Sequence, residues 1–166
     1  MAMDNKQMVR VLRRVGACDE AVKWVKEHGG TPEEVWRDCV RGDWMAWIAA
    51  KTPGVTKPEL VGALADIAAL SLKCFEKEFP NDRRVRECIN TCRRYARGKA
   101  TDEELKNASA AIAASAYAFS FSAAYAAAYA AAYAAACAGI AREKTLKRCA
   151  NIMRKHFPDL WKGWMK

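Results

Sequence analysis

The chain has 166 residues, 52% of them hydrophobic and 28% charged, a size and balance that fit one globular domain with a sizeable core and leave two small domains cramped. Six Trp, five Tyr and five Phe supply more burial than a solvated low-complexity chain carries, so disorder is excluded for most of the length. Lys and Arg outnumber Asp and Glu by 28 to 19, and the net charge of +9 favours an anionic partner, with nucleic acid, nucleotide, anionic lipid and acidic protein all open.

The apolar period is helical nearly throughout, and no stretch alternates long enough to form a strand. The expected class is all-α, a single-domain multi-helix bundle around a long Ala/Tyr-rich helix. Its expected organisation is a set of Trp-rich N-terminal helices over 1–53, then a bundle over 56–166 that contains an Ala-rich helix at 102–139. Met3 to Arg14 and Asp19 to Glu27 predict two short helices separated at Gly16, the second ended by His28-Gly29-Gly30. Three further starts carry Thr with Glu three residues later: Thr31 with Glu34, Thr56 with Glu59, and Thr101 with Glu104. In each the Thr oxygen accepts an orphan amide while the Glu reaches back to the cap amide.

A helix after Gly42, with Asp43 as its cap, carries Trp44, Trp47 and Ile48 and stops before Pro53-Gly54. Its tryptophans fit either the core or a partner-binding hot spot, and Trp44 with Arg41 is the partner-binding candidate. Leu60, Leu64, Ile67, Ser71, Cys74 and Phe75 predict one buried helix from Glu59 to Phe79, closed by Pro80. Asn81 or Asp82 caps the next, with Val85, Cys88, Ile89, Cys92, Tyr95 and Ala96 on one face and Arg83, Arg86, Asn90, Arg93 and Arg97 in a separate narrow stripe. That stripe is either a solvated face or an anion site, since the guanidinium fork suits phosphate and carboxylate.

From Asn107 to Ala141 there is no charged residue. Ala inserts poorly into lipid and tyrosine hydroxyls would sit at depth, so the expected setting is a helix enclosed by other helices, with no membrane span. Tyr117, Phe121, Tyr125, Tyr129, Tyr133 and Cys137 recur at every fourth residue and wind around the helix. Tyr125 and Tyr129 are candidates to stack on a base, against the alternative of packing. A straight helix over this tract would be about 50 Å long, which predicts a break near Ser120-Phe121-Ser122 or at Gly139. Beyond it Arg142, Lys144, Lys147, Arg148, Arg154 and Lys155 form a second basic region.

Seven cysteines form an odd set spread through helical segments, which reads as reduced thiols in a cytoplasmic protein. Met1 to Val15 lacks the apolar core of a secretory signal. Cys88 and Cys92, with Cys149 and His156, lack the paired knuckle of a zinc site and read as structural. No Gly-rich phosphate loop, His-Glu metal motif or nucleophile elbow occurs, so neither metal nor cofactor is expected and the chain reads as non-enzymatic.

Ala17-Cys18-Asp19-Glu20-Ala21, Trp24, Glu34 to Trp36, Cys39, Arg41 to Met45 and Trp47 resemble the N-terminal part of small phage and bacterial proteins of unknown role. Leu64 through Phe75, Pro80, Asp82-Arg83, Arg86, the Ala-rich helix and Ala150 to Pro158 are similar to an immunity-protein family of polymorphic toxin systems. The resemblance implies a helical, intracellular, non-enzymatic protein of a biological conflict, of immunity or phage anti-defence type, which sequesters a toxin or host-defence protein. The alternatives are a sponge for an anionic signalling nucleotide, held by Arg83, Arg86, Arg93 and Arg97, and a nonspecific nucleic-acid binder. A homo-oligomer is compatible with each. The surplus positive charge makes a basic nuclease toxin an awkward partner.

Overall fold

The computed structural model describes residues 3–113 and 141–165. The fold is all-α, with helices and turns and no strand among the described residues. Contacts divide the chain into two compact units, Met1–Val55 with Cys149–Lys166, and Thr56–Arg148.

The first unit holds α1 (Asn5–Arg14), α2 (Asp19–His28), α3 (Pro32–Asp38) and α4 (Gly42–Ala49). The later part of α9 (Ala141–His156) and a 3-10 helix (Leu160–Trp164) complete it. Its core combines Met8 and Leu12 of α1, Val22 and Val25 of α2, Trp36, Met45 and Ile48 with Ala150, Met153, Phe157 and Trp161 from the C-terminal end. Gly42 shows how closely these pieces meet. A Cβ there would lie 2.3 Å from the Cys149 Cβ and 2.5 Å from the Ala150 nitrogen, so only a glycine admits α9 to the start of α4. Arg154 then donates to the Trp36 and Cys39 carbonyl oxygens at 3.1 and 2.8 Å, satisfying acceptors at the end of α3. The Trp164 indole donates to the Thr52 hydroxyl at 2.9 Å, and that hydroxyl donates to the Ile48 carbonyl at 2.8 Å.

The second unit holds α5 (Lys57–Ala68), α6 (Leu72–Glu78), α7 (Arg84–Ala96) and α8 (Asp102–Ala113), together with the start of α9. Within it α7 packs against both α5 and α8. Val61, Leu64 and Ile67 of α5, Cys88, Ile89 and Cys92 of α7, and Leu105 of α8 are buried.

The three Thr/Glu signals all begin helices. The Glu34, Glu59 and Glu104 amides donate to the Thr31, Thr56 and Thr101 hydroxyls, and the threonine amides donate back to those carboxylates at 2.8 Å. A fourth box, between Asp4 and Gln7, starts α1 two residues later than the apolar pattern suggests.

Three local expectations are corrected. The helix expected from Glu59 to Phe79 breaks after Ala68, where the Ser71 amide and hydroxyl both donate to the Ala68 carbonyl, and α6 starts afresh at Leu72. A serine hydroxyl that bonds a carbonyl of the preceding turn weakens and bends a helix without Gly or Pro. No residue of α6 is buried, and Phe79 is 57% exposed. Asp43 does not cap α4; it lies one residue inside the helix and takes the Arg41 guanidinium instead. Asp82 accepts from the Arg84 amide at 3.0 Å, but the cap position itself falls to Arg83, whose side chain makes no capping bond. The candidates Tyr125 and Tyr129, and the helix expected beyond residue 113, lie outside the described residues.

Candidate interaction surface

In the first unit, Trp24 and His28 stand one helical turn apart on α2 and so share a face. Their rings are 5.1 Å apart, and Trp24 meets Trp44 of α4 at 6.3 Å with the planes tilted by 56°. The Arg41 guanidinium lies 4.1 Å over the Trp44 ring, a cation–π contact. Arg41 cannot swing away freely, because both oxygens of Asp43 hold its fork at 2.9 and 2.7 Å and Glu20 approaches to 3.6 Å. The Asp43 hydrogen bond raises the Arg41 pKa further above its ordinary value. Trp24, Trp44 and Trp47 are each half-buried, and the Lys51 ammonium stands 5.9 Å over Trp47.

His28 ties this cluster to the end of α3. Its Nδ1 lies 2.9 Å from the Gly29 carbonyl oxygen and its Nε2 lies 3.2 Å from the Asp38 carboxylate. Both partners only accept, so the doubly protonated ring satisfies both at once. The Gly29 contact, with Asp38 next, raises the His28 pKa against the opposing effect of desolvation. Asp38 is held below the usual carboxylate range by Arg37 and then by His28. Two indoles, a guanidinium and an imidazole thus sit on short helices and the turn that opens α4, tied by the contacts above. Trp and Arg on a rigid backbone are the residue types that anchor protein interfaces.

The arginine stripe of α7 belongs to the second unit and meets carboxylates from neighbouring helices. Arg86 grips Glu76 of α6 with two bonds of 2.6 Å, and Arg93 reaches Asp66 of α5 at 2.8 and 2.9 Å. Off the stripe, Arg84 holds Asp82, and Arg94 holds Glu104 of α8 at 2.8 Å. The hydrogen bond from Arg84 pushes the Asp82 carboxyl down to about 2. Arg83 and Arg97 are exposed and make no ion pair among the described residues, but fourteen positions separate them, about 21 Å along a helix. That distance exceeds the reach of one mononucleotide's phosphates.

The sequence did not disclose the tilted Trp24–Trp44 contact, the His28–Asp38 link or the carboxylates that meet the arginines. Periodicity identifies a face and not the neighbour across it, although Asp66, within the apolar run of α5, is a visible anomaly. The Cys88 and Cys92 thiols lie together on the buried face of α7, and hydrogen bonding to Cys88, with burial, pushes the Cys92 thiol up. Among the described residues no group of three or more His, Cys, Asp or Glu side chains is placed to hold a metal, and no helix is long and apolar enough to cross a membrane.

A family model described as Imm-5 like putative immunity protein matches residues 55–145. The chain belongs to this family. The Imm-5 like match coincides with the second unit, whereas the Trp24–Trp44–Arg41 cluster lies in the first, outside the matched residues. The resemblance at Ala150 to Pro158 also falls outside that match. No curated protein and no solved structure matches the chain.

Proposed function

We propose that the protein neutralises a toxin of a biological conflict system by stoichiometric binding, without catalysis, and that Trp44, Trp24 and Arg41 anchor the complex. The observation that carries this reading is the Imm-5 like match over residues 55–145. The half-buried aromatic cluster supports the choice of surface, because it supplies hot-spot residue types already held in place by Asp43, Glu20 and Asp38. A phage anti-defence role would use the same sequestration against a host-defence protein. The pairing of Arg86 and Arg93 with Glu76 and Asp66 weighs against a nucleotide clamp on α7, which would have to break both pairs.

The test is co-expression in a bacterial host with each toxin domain encoded in the genome that carries this chain. Growth restored by the wild type and lost again with Trp44→Ala, at equal protein level, supports the reading. Toxicity unchanged by the wild type refutes it. Light scattering on the purified complex reads the number of copies of this chain per toxin.

A further inference from the structure

The helix α1 carries Lys6, Arg10 and Arg13 at positions i, i+4 and i+7, which places three cations within an arc of about 60° over about 10 Å of helix. All three are exposed, and none makes an ion pair among the described residues. Arg14 continues the row and lies 5.9 Å from the Trp164 ring centroid. The opposite side of the helix, with Met8, Val11 and Leu12, is in the core, so the cationic face is fixed toward solvent.

This face differs from the arginine stripe of α7. On α7 the cations Arg84, Arg86, Arg93 and Arg94 each meet a carboxylate, whereas on α1 the one carboxylate, Asp4, is engaged in the capping box with Gln7. Nor does helix stability explain the row. Lys6 with Arg10, and Arg10 with Arg13, are like-charge pairs at spacings that destabilise a helix. Lys6 also stands in the first turn, at the positive end of the helix dipole, with no acidic residue beside it in that turn. Only Arg13 and Arg14, in the last turn, are placed where the dipole favours them.

We infer that the α1 face is a docking surface for an acidic protein patch, and that it steers the toxin of the proposed function toward this chain. The inference rests on that reading for the identity of the partner and on charge complementarity for its chemistry. A compact acidic patch fits better than a nucleic-acid backbone. The row is short, and α2, which packs against α1, exposes Asp19, a carboxylate that makes no ion pair among the described residues and would repel a continuous polyanion.

The experiment measures association rates of the full chain with the toxin domain that it neutralises in co-expression, by stopped flow at 25 and 250 mM NaCl. The triple variant Lys6→Gln/Arg10→Gln/Arg13→Gln is compared with the wild type, and its circular dichroism melt confirms folding; Lys6→Gln alone serves if the triple variant fails to fold. The wild-type rate is expected to fall about tenfold or more with salt, and the triple variant to start about tenfold lower with a flatter dependence. Wild-type rates and salt dependence in the folded variant overturn the α1 surface while leaving neutralisation intact. Absence of any wild-type complex refutes the proposed function as well. A mixed 20-base-pair duplex that binds the wild type more tightly than the toxin does, and is lost in the variant, assigns the face to nucleic acid and overturns the inference.

Discussion

Gly42→Ala places one methyl group against atoms that have nowhere to go. The new Cβ would stand 2.3 Å from the Cys149 Cβ, 2.5 Å from the Ala150 nitrogen and 2.8 Å from the Cys149 carbonyl carbon. Two of these atoms are backbone in the middle of α9, so no rotamer change relieves the contact and the helix must move. Overpacking of this kind costs about 1–3 kcal/mol. Alanine recovers up to about 1 kcal/mol of helix propensity in a helix interior and less at the first helical residue, where Gly42 sits. With two backbone contacts below 3.0 Å, the net expectation is about 2 kcal/mol of destabilisation. For a chain of this length that lowers Tm by roughly 4–8 °C. Differential scanning calorimetry of the wild type and Gly42→Ala measures it. A variant that melts at or above the wild type would refute the close approach of α9 to α4, and with it the assignment of the C-terminal segment to the N-terminal unit.

Other consequences follow from the same contacts. His28 has a folded-state pKa raised above its ordinary 6.5, so its contribution to stability is fully present below pH 6.5 and is lost as pH rises through the folded value. The Tm difference between the wild type and His28→Asn is therefore largest below pH 6.5 and shrinks above it, and an NMR titration midpoint for His28 at or below 6.5 would contradict the geometry. Thr101→Ala removes the acceptor for the Glu104 amide and is expected to cost about 1 kcal/mol in urea denaturation, whereas Thr101→Asp is expected to cost little. A double-mutant cycle on Arg93 and Asp66, whose side chains are 40% and 37% exposed, should return a coupling of only about 0.2–1 kcal/mol. A coupling well above that would mean that the pair is far better shielded from water than its exposure indicates.

The parts of the fold that sequence discloses are those decided within a few residues. Thr31, Thr56 and Thr101 mark helix starts because a capping box closes between positions three apart, and Gly29 follows the end of α2 with a φ of 66° that glycine adopts freely. The break between α5 and α6 is not visible, because Leu64, Ile67, Ser71, Cys74 and Phe75 keep helical spacing across it while the backbone bonds tighten to three-residue turns between Ile67 and Cys74. The candidate surface is half legible for the same reason. Arg41 and Trp44 are three apart, and their contact is local, whereas Trp24 meets Trp44 from α2, twenty positions earlier in the chain. The arginines of α7 look unopposed in sequence because their carboxylates arrive from α5, α6 and α8. Conversely, the basic row of α1 is plain in the sequence, but only its lack of partners in the structure distinguishes it from the row of α7.

The claim that this immunity-family protein acts by binding alone is tested most directly by titrating the purified chain into a fixed amount of the toxin domain that it neutralises in co-expression and reading residual toxin activity. Stoichiometric sequestration predicts a linear fall to an end point at a fixed molar ratio, the same after one minute and after one hour, with Trp44→Ala giving a shallow curve that no longer reaches it. Complete loss of toxin activity at a small fraction of that ratio, growing with time, would show turnover and contradict the account.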